Sequence, residues 1–237
     1  SYSHYITVDN KKIHVVFYGE LEENTKEFAN PEKTTLVMLP ALGVPSPNIY
    51  FKPIAENVSS EFNVVIIEPL GYGLSDAASS TRTVDNINAE INKALEILDI
   101  KECVLLVHSI SGVYGLNFVY SYPEKVKGSV AVDNTVYDEG LSEGMDMEQK
   151  YMLQEAKKFN DLRNSFSSVE EFQKAVSQSP EMYGAMLPEV NGYEYTEVDR
   201  QEYIRAFSRS NNETIMDESN QMDESLLTIK DQKFPDN

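Results

Sequence analysis

The sequence predicts an α/β protein with a doubly wound, mostly parallel sheet, and three observations carry that expectation. Residues 36–39, 64–67, 104–107 and 130–132 are short continuous apolar runs rather than alternating ones, the pattern of strands buried on both faces. Helical periodicity separates them: Val84, Ile87, Ile91, Ala94, Leu95 and Leu98 recur at steps of three and four behind Thr83, which can cap the start. A second helical stretch, 111–122, follows the third run at once and stops before Pro123. Strands that alternate with helices are joined by right-handed crossovers into such a sheet.

The remaining elements follow in order. Residues 5–8 and 13–18 flank the turn signal Asp9-Asn10-Lys11-Lys12, so the chain opens with an antiparallel hairpin. Its two histidines, His4 and His14, read as surface residues. Residues 19–33 are polar and without period, a surface loop. Residues 1–137 form the expected core. From about Asp138 the composition changes, with seven of the eight Met and 22 acidic against 10 basic residues beyond that point. Helices are expected at 146–166, 168–178 and 197–209, the second behind the capping box Ser168-Val169-Glu170-Glu171. Residues 138–225 read as a helical lid inserted over the carboxyl ends of the strands. Its Met residues and Tyr151, Tyr183, Tyr193 and Tyr195 supply adaptable apolar lining; the alternative is an ordinary helical core. The run 226–229 is too short to assign, and 226–237 reads as a return segment toward a further strand.

Composition excludes several classes. The 237 residues carry 20 Lys+Arg against 39 Asp+Glu, a formal charge of −19, which repels phosphate backbones and argues against a nucleic-acid partner. No apolar run approaches the length of a membrane span. Cys103 is the single cysteine, so no internal disulfide forms, and no Cys/His cluster implies zinc. Neither a cofactor nor a metal is implied. Ser1 is preceded by no Met and followed by no leader, so either the start is processed or a piece, an anchor included, precedes it. The compartment is cytoplasmic by default or extracytoplasmic if such an anchor exists.

The strongest local signal is Val107-His108-Ser109-Ile110-Ser111-Gly112 behind a buried strand. A sharp strand–turn–helix corner there lifts the Ser109 hydroxyl out of the sheet, as a nucleophile elbow requires, and the helix start aims N–H groups at the same place. Leu39-Pro40-Ala41-Leu42-Gly43 and Glu68-Pro69-Leu70-Gly71-Tyr72-Gly73-Leu74-Ser75-Asp76 arrive before it, and Tyr122-Pro123-Glu124-Lys125-Val126 after it. With this order and spacing the stretch 36–135 resembles the α/β-hydrolase superfamily, in its serine esterase and peptidase branch. Pro45-Ser46-Pro47 with the His-Ser-Ile-Ser-Gly elbow is similar to a bacterial subgroup of hydrolases.

The resemblance implies acyl transfer to water. Ser109 is the implied nucleophile, and by position the N–H groups of Ile110 and Leu42 hold the oxyanion. A capping role for Ser109 and a plain turn role for Leu42 are the alternatives. Ser at the elbow rather than Asp disfavours dehalogenase and epoxide-hydrolase chemistry. A small, mostly apolar ester or amide is the expected substrate. Val107 and Ser111 depart from the family's outer glycines, and Pro40-Ala41 from its His-Gly turn. The family takes its partners in the order Ser, acid, His. Asp133 is a candidate acid, with a pocket or loop role as the alternative. No His follows Ser109, and His108 reads as structural because neighbours at an elbow cannot pair as Ser and His. A truncated or split enzyme, inactive in this form and with a second chain or swapped segment covering the last strand, is therefore expected. A non-catalytic ligand-binding module on the same fold is the alternative.

Overall fold

The computed structural model describes residues 1–23, 25, 27–139 and 142–234, with the backbone alone described at 142–146, 148 and 149. Strands β1 (Tyr2–Val8) and β2 (Lys11–Tyr18) form the expected hairpin. Its two-residue turn puts Asp9 at φ 47° and Asn10 at φ 63°, the left-handed pair that matches strand twist and that Asp and Asn tolerate. Next come β3 (Thr35–Leu39), β4 (Asn63–Glu68), β5 (Cys103–His108) and β6 (Val126–Val132), and the sheet runs β1-β2-β4-β3-β5-β6. β2 pairs antiparallel with β4, and the strands from β4 to β6 are parallel.

The continuous apolar runs are explained by helices on both faces. Helix α1 (Pro47–Val58) covers Leu36 and Met38 of β3, Val64 and Ile66 of β4, and Leu106 of β5. The alternate residues Val37, Leu39, Val65, Ile67, Leu105 and Val107 face α2 (Val84–Ile97) and α3 (Ser111–Ser121). Successive strand side chains point to opposite faces, so a two-faced core needs apolar residues at every position. β6 departs from that expectation. Val130 is 49% and Val132 45% exposed, because β6 closes the sheet order and pairs only with β5 among the described residues. The thiol of Cys103 is buried, and that burial pushes it up to about 12.

Beyond the sheet lie α4 (Ser142–Asn164), α5 (Val169–Gln178), α6 (Pro180–Tyr183), α7 (Glu197–Phe207), α8 (Glu213–Asn220) and α9 (Met222–Thr228). Ser168 caps α5 through Glu171 N–H, and Thr196 with Asp199 makes a capping box at α7. Phe172, Val176, Tyr203, Ile204 and Phe207 pack with Ile49 of α1 in a separate apolar cluster. The run 226–229 is the end of a helix rather than a strand, and Leu226 and Ile229 join the main core. Among the described residues no helix is long and apolar enough to cross a membrane.

Two sequence expectations need correction here. His14 is buried, not at the surface: it stands on β2, one strand in from the edge, with Nδ1 2.8 Å from Glu68 Oε2 and Nε2 2.5 Å from Ser3 Oγ. Tyr183 and Tyr195 pack in the cluster around Phe172, and Tyr193 donates to Glu56, so these three stand off the wall of the cavity that Tyr151 lines. Met145 lies outside the described side chains.

Candidate active site

The register of the sheet assembles the site. Leu39 pairs with Val107, and Val107 and His108 pair with Ala131 and Val132, so the chain leaves three adjacent strands at one level. Pro40-Ala41-Leu42 exits on one side of Ser109 and Asp133-Asn134 on the other. Ser109 is held at φ 55°, a left-handed conformation that costs a non-glycine residue roughly 1–2 kcal/mol. Three hydrogen bonds hold it there. Its N–H donates to Val132 O at 3.2 Å, and its C=O accepts from Thr135 N at 3.1 Å and Gly112 N at 2.9 Å.

The departures from the family's glycines are accommodated nearby. Val107 is fully buried, and a Cβ on Gly115 would come within 3.0 Å of its Cγ1. The glycine that makes room for the β-branched side chain therefore sits one turn into α3. Gly112 lies against Asn134, whose Oδ1 would overlap a Cβ at that position. Ser111 Oγ donates to Pro40 O and so ties the start of α3 to the turn that carries Leu42. The N–H groups of Ile110 and Leu42 donate to no backbone carbonyl among the described residues.

The loop after β4 buttresses this corner. Gly73 N–H donates to Pro45 O, and a Cβ at Gly73 (φ 51°) would stand 1.9 Å from Glu68 Oε2, so only glycine fits. Glu68 accepts from His14 Nδ1, Leu74 N and Asn48 N. Ser75 Oγ bridges Glu68 O and His14 N, and Asp76 accepts from Lys12 N. The Ser and Asp of this motif thus pin the loop to β2.

His108 stacks on Tyr50 with ring centroids 5.6 Å apart, its Nδ1 3.1 Å from the Tyr50 hydroxyl. Asp133 is exposed, at φ 44°. Burial first, and then the Asp133 carboxylate, push the Tyr50 phenol above its usual value. A half-open cavity of about 240 Å³ lies against Leu42 and Gly43 and is walled by Tyr151, Met152, Ala156, Ile215 and Met216. A larger cleft of about 700 Å³ lies beyond Met216, between residues 77–82, α4 and the start of α8, and is lined largely by polar and charged side chains. Leu42 lines the smaller cavity and not the cleft, and no residue of 107–112 lines either.

Sequence reasoning missed a buried polar cluster behind the corner. Tyr72 Oη and Tyr114 Oη donate to the same oxygen, Glu218 Oε1, at 2.9 and 2.7 Å. Burial is the main cause that raises the Glu218 carboxyl, Arg82 opposing it. The available signal was Glu218 at the third position after Ile215, on the apolar face of its helix.

The chain matches the family described as alpha/beta hydrolase fold over residues 34–186. It is 27% identical over 129 residues to the uncharacterized protein YbdG of Bacillus subtilis, 54% of this chain and 36% of that protein. It is 26% identical over 97 residues to a 2-(acetamidomethylene)succinate hydrolase of Mesorhizobium japonicum, 41% of this chain and 35% of that enzyme. The matches thus span little more than a third of these curated relatives. Among solved structures, Cfl2 of Burkholderia cenocepacia superposes with a TM-score of 0.64 at 17% identity, covering 96% of this chain and 73% of that one. The elbow, the six-stranded order and the matched stretch agree: the chain belongs to the alpha/beta hydrolase fold family.

Proposed function

We propose that this chain carries the nucleophile and oxyanion half of a serine hydrolase acting on a small, mostly apolar ester or amide. The observation that carries the reading is Ser109 itself. A non-glycine residue held at φ 55° by three backbone hydrogen bonds is strain of the kind that clusters at reacting groups. Ser109 Oγ adds to the substrate carbonyl and gives its proton to a base. The base then protonates the leaving alcohol or amine, and water hydrolyses the acyl-serine by the same steps. The N–H groups of Ile110 and Leu42 receive the negative oxygen, each such donor contributing roughly 3–4 kcal/mol in related chemistry. The acyl group occupies the cavity between Leu42 and Met216, whose 240 Å³ corresponds to about eight water volumes. Helix α4 acts as part of a lid over it.

None of the three histidines is the base in this reading. His4 packs on Phe17, His14 is committed to Glu68 and Ser3, and His108 stacks on Tyr50. The base is supplied from outside these 237 residues, beside the open edge of β6 where Asp133 stands; Asp133 is its partner or a pocket residue. The same histidine inventory favours a second reading, a ligand-binding module without turnover.

A fluorophosphonate probe, from which a serine displaces fluoride, separates the two. It is applied to the 237-residue chain alone and together with any sequence that follows it in the natural gene. Labelling in either form that disappears in Ser109→Ala is the expected result. A folded protein that stays unlabelled in both forms would sink the serine-hydrolase reading.

A further inference from the structure

The opening hairpin brings a serine, a histidine and a carboxylate into one line. Ser3 lies on the edge strand β1 opposite Val16, two residues from His14 on β2. Its side chain therefore stands diagonally beside the His14 ring on the same face of the sheet. Ser3 Oγ is 2.5 Å from His14 Nε2, and His14 Nδ1 is 2.8 Å from Glu68 Oε2. Glu68 also accepts from Leu74 N and Asn48 N, so its oxygens are turned toward donors and His14 Nδ1 supplies one more. In that tautomer Nε2 is an acceptor, and the Ser3 hydroxyl donates to it. Among the described residues no other serine hydroxyl lies within hydrogen-bond distance of a histidine ring nitrogen. Burial falls along the line: Glu68 and His14 are buried, whereas Ser3 is exposed. Tyr5, half exposed, lays its ring against His14 with centroids 5.1 Å apart, an apolar platform on the face that Ser3 shares.

We infer that Ser3, His14 and Glu68 form a second nucleophilic site, separate from Ser109, that takes the acyl group of activated esters and thioesters. Each residue stands in the relation that activates a serine: a hydroxyl on the base, and the base oriented by a third group. Ser3 Oγ adds to the acyl carbonyl as its proton passes to His14 Nε2, and Glu68 holds the resulting imidazolium. The Oγ–C bond forms, the bond from the acyl carbon to the leaving oxygen or sulfur breaks, and the phenolate or thiolate departs with the electron pair. The imidazolium then returns its proton to solvent. Water cleaves the acyl-serine with the same base and releases the carboxylic acid. Ser3 lies within a strand rather than at a helix start, so it lacks the converging helix N–H groups of the elbow. Its acyl donors are therefore those whose leaving groups depart without a stabilised oxyanion. The buried histidine and glutamate keep the relay ordered, and the exposed hydroxyl is where the donor arrives.

The test uses p-nitrophenyl acetate on the 237-residue chain carrying Ser109→Ala, so that the elbow cannot contribute. Acetyl esters are located by peptide mass spectrometry and recognised by their release with hydroxylamine, which leaves acetylated amines intact. Ser79 and Ser80, exposed serines that bond no histidine, are controls within the same molecule. Ser3 is expected to be acetylated at least about a hundredfold faster than either, the lower end of what a positioned general base contributes. His14→Asn keeps an amide donor for Glu68 and removes Nε2; it is expected to bring the Ser3 rate down to that of Ser79 and Ser80, with thermal melts alongside. Acetylation of Ser3 no faster than the two controls would overturn the site. So would a folded His14→Asn protein in which Ser3 reacts as fast as before, which would mean that His14 and Glu68 serve the hairpin's stability alone. If His14→Asn does not fold, the ratio of Ser3 to Ser79 and Ser80 in the parent decides. A phosphonate reacts through an oxyanion that needs N–H donors, so phosphonate labelling remains a property of Ser109, and either serine can fail its test without the other.

Discussion

On the β3 flank of Ser109 the chain is sealed, and on the β6 flank it is open. Leu39, Leu105 and Val107 have at most 1% of their surface exposed, and Ser111 bonds Pro40 across to the neighbouring turn. On the other side Val130 and Val132 are about half exposed and Asp133 faces solvent. Yet both flanks hold the serine, since Val132 O and Thr135 N, on the open side, supply two of its three backbone bonds. The difference teaches that the elbow needs only backbone from β6 but needs side-chain packing from β3 and β5. The backbone of Ser109 is therefore held from both flanks, whereas Asp133, on the open one, faces solvent.

That contrast can be broken by substitution, beginning with the largest effect. Glu68→Ala, on the sealed side, leaves His14, Leu74 N and Asn48 N without their buried partner and is expected to cost about 3–5 kcal/mol, measured by urea unfolding. Leu105→Ala should follow at about 2–5 kcal/mol, whereas Val132→Ala on the open flank should stay within about 0.5 kcal/mol; similar values at the two positions would refute the contrast. Ser109→Gly is expected to raise stability by about 1 kcal/mol, because glycine relieves the left-handed strain, while abolishing phosphonate labelling.

The smallest effect is a slope with pH. Burial raises the Glu218 carboxyl in the folded chain, so the folded state holds a proton that the unfolded state has released. Stability from this group is intact below the ordinary carboxyl range and falls as pH rises through the raised value. Glu218→Gln should remove that part of the slope in melts taken across the acidic range, leaving the part due to Glu202, which burial also raises.

Much of this was legible in residue order. The period-two occupancy of both faces in 36–39, 64–67 and 104–107 requires covered parallel strands, and Ser109 stands where such a strand turns into a helix. The capping sequence at Ser168 marks the start of α5, as found. What misled were residues judged by their neighbours in sequence. His14 sits in a hairpin, and hairpins at an edge are exposed; β2 is instead an inner strand because β4 pairs with its far side. Residues 130–132 are as apolar as the inner runs, yet the covering element is absent from their side of the sheet among the described residues.

The sequence by itself determined the class of fold, the strand–helix alternation and the place of Ser109, because these depend on local period and on short-range turn chemistry. The tertiary structure alone decided how the corner is held. Gly115 makes room for Val107, Ser111 ties itself to Pro40, and Glu218 reaches Tyr72 from 146 residues away. Contacts of that kind join residues distant in the chain through packing geometry, and no periodicity encodes which pairs will meet.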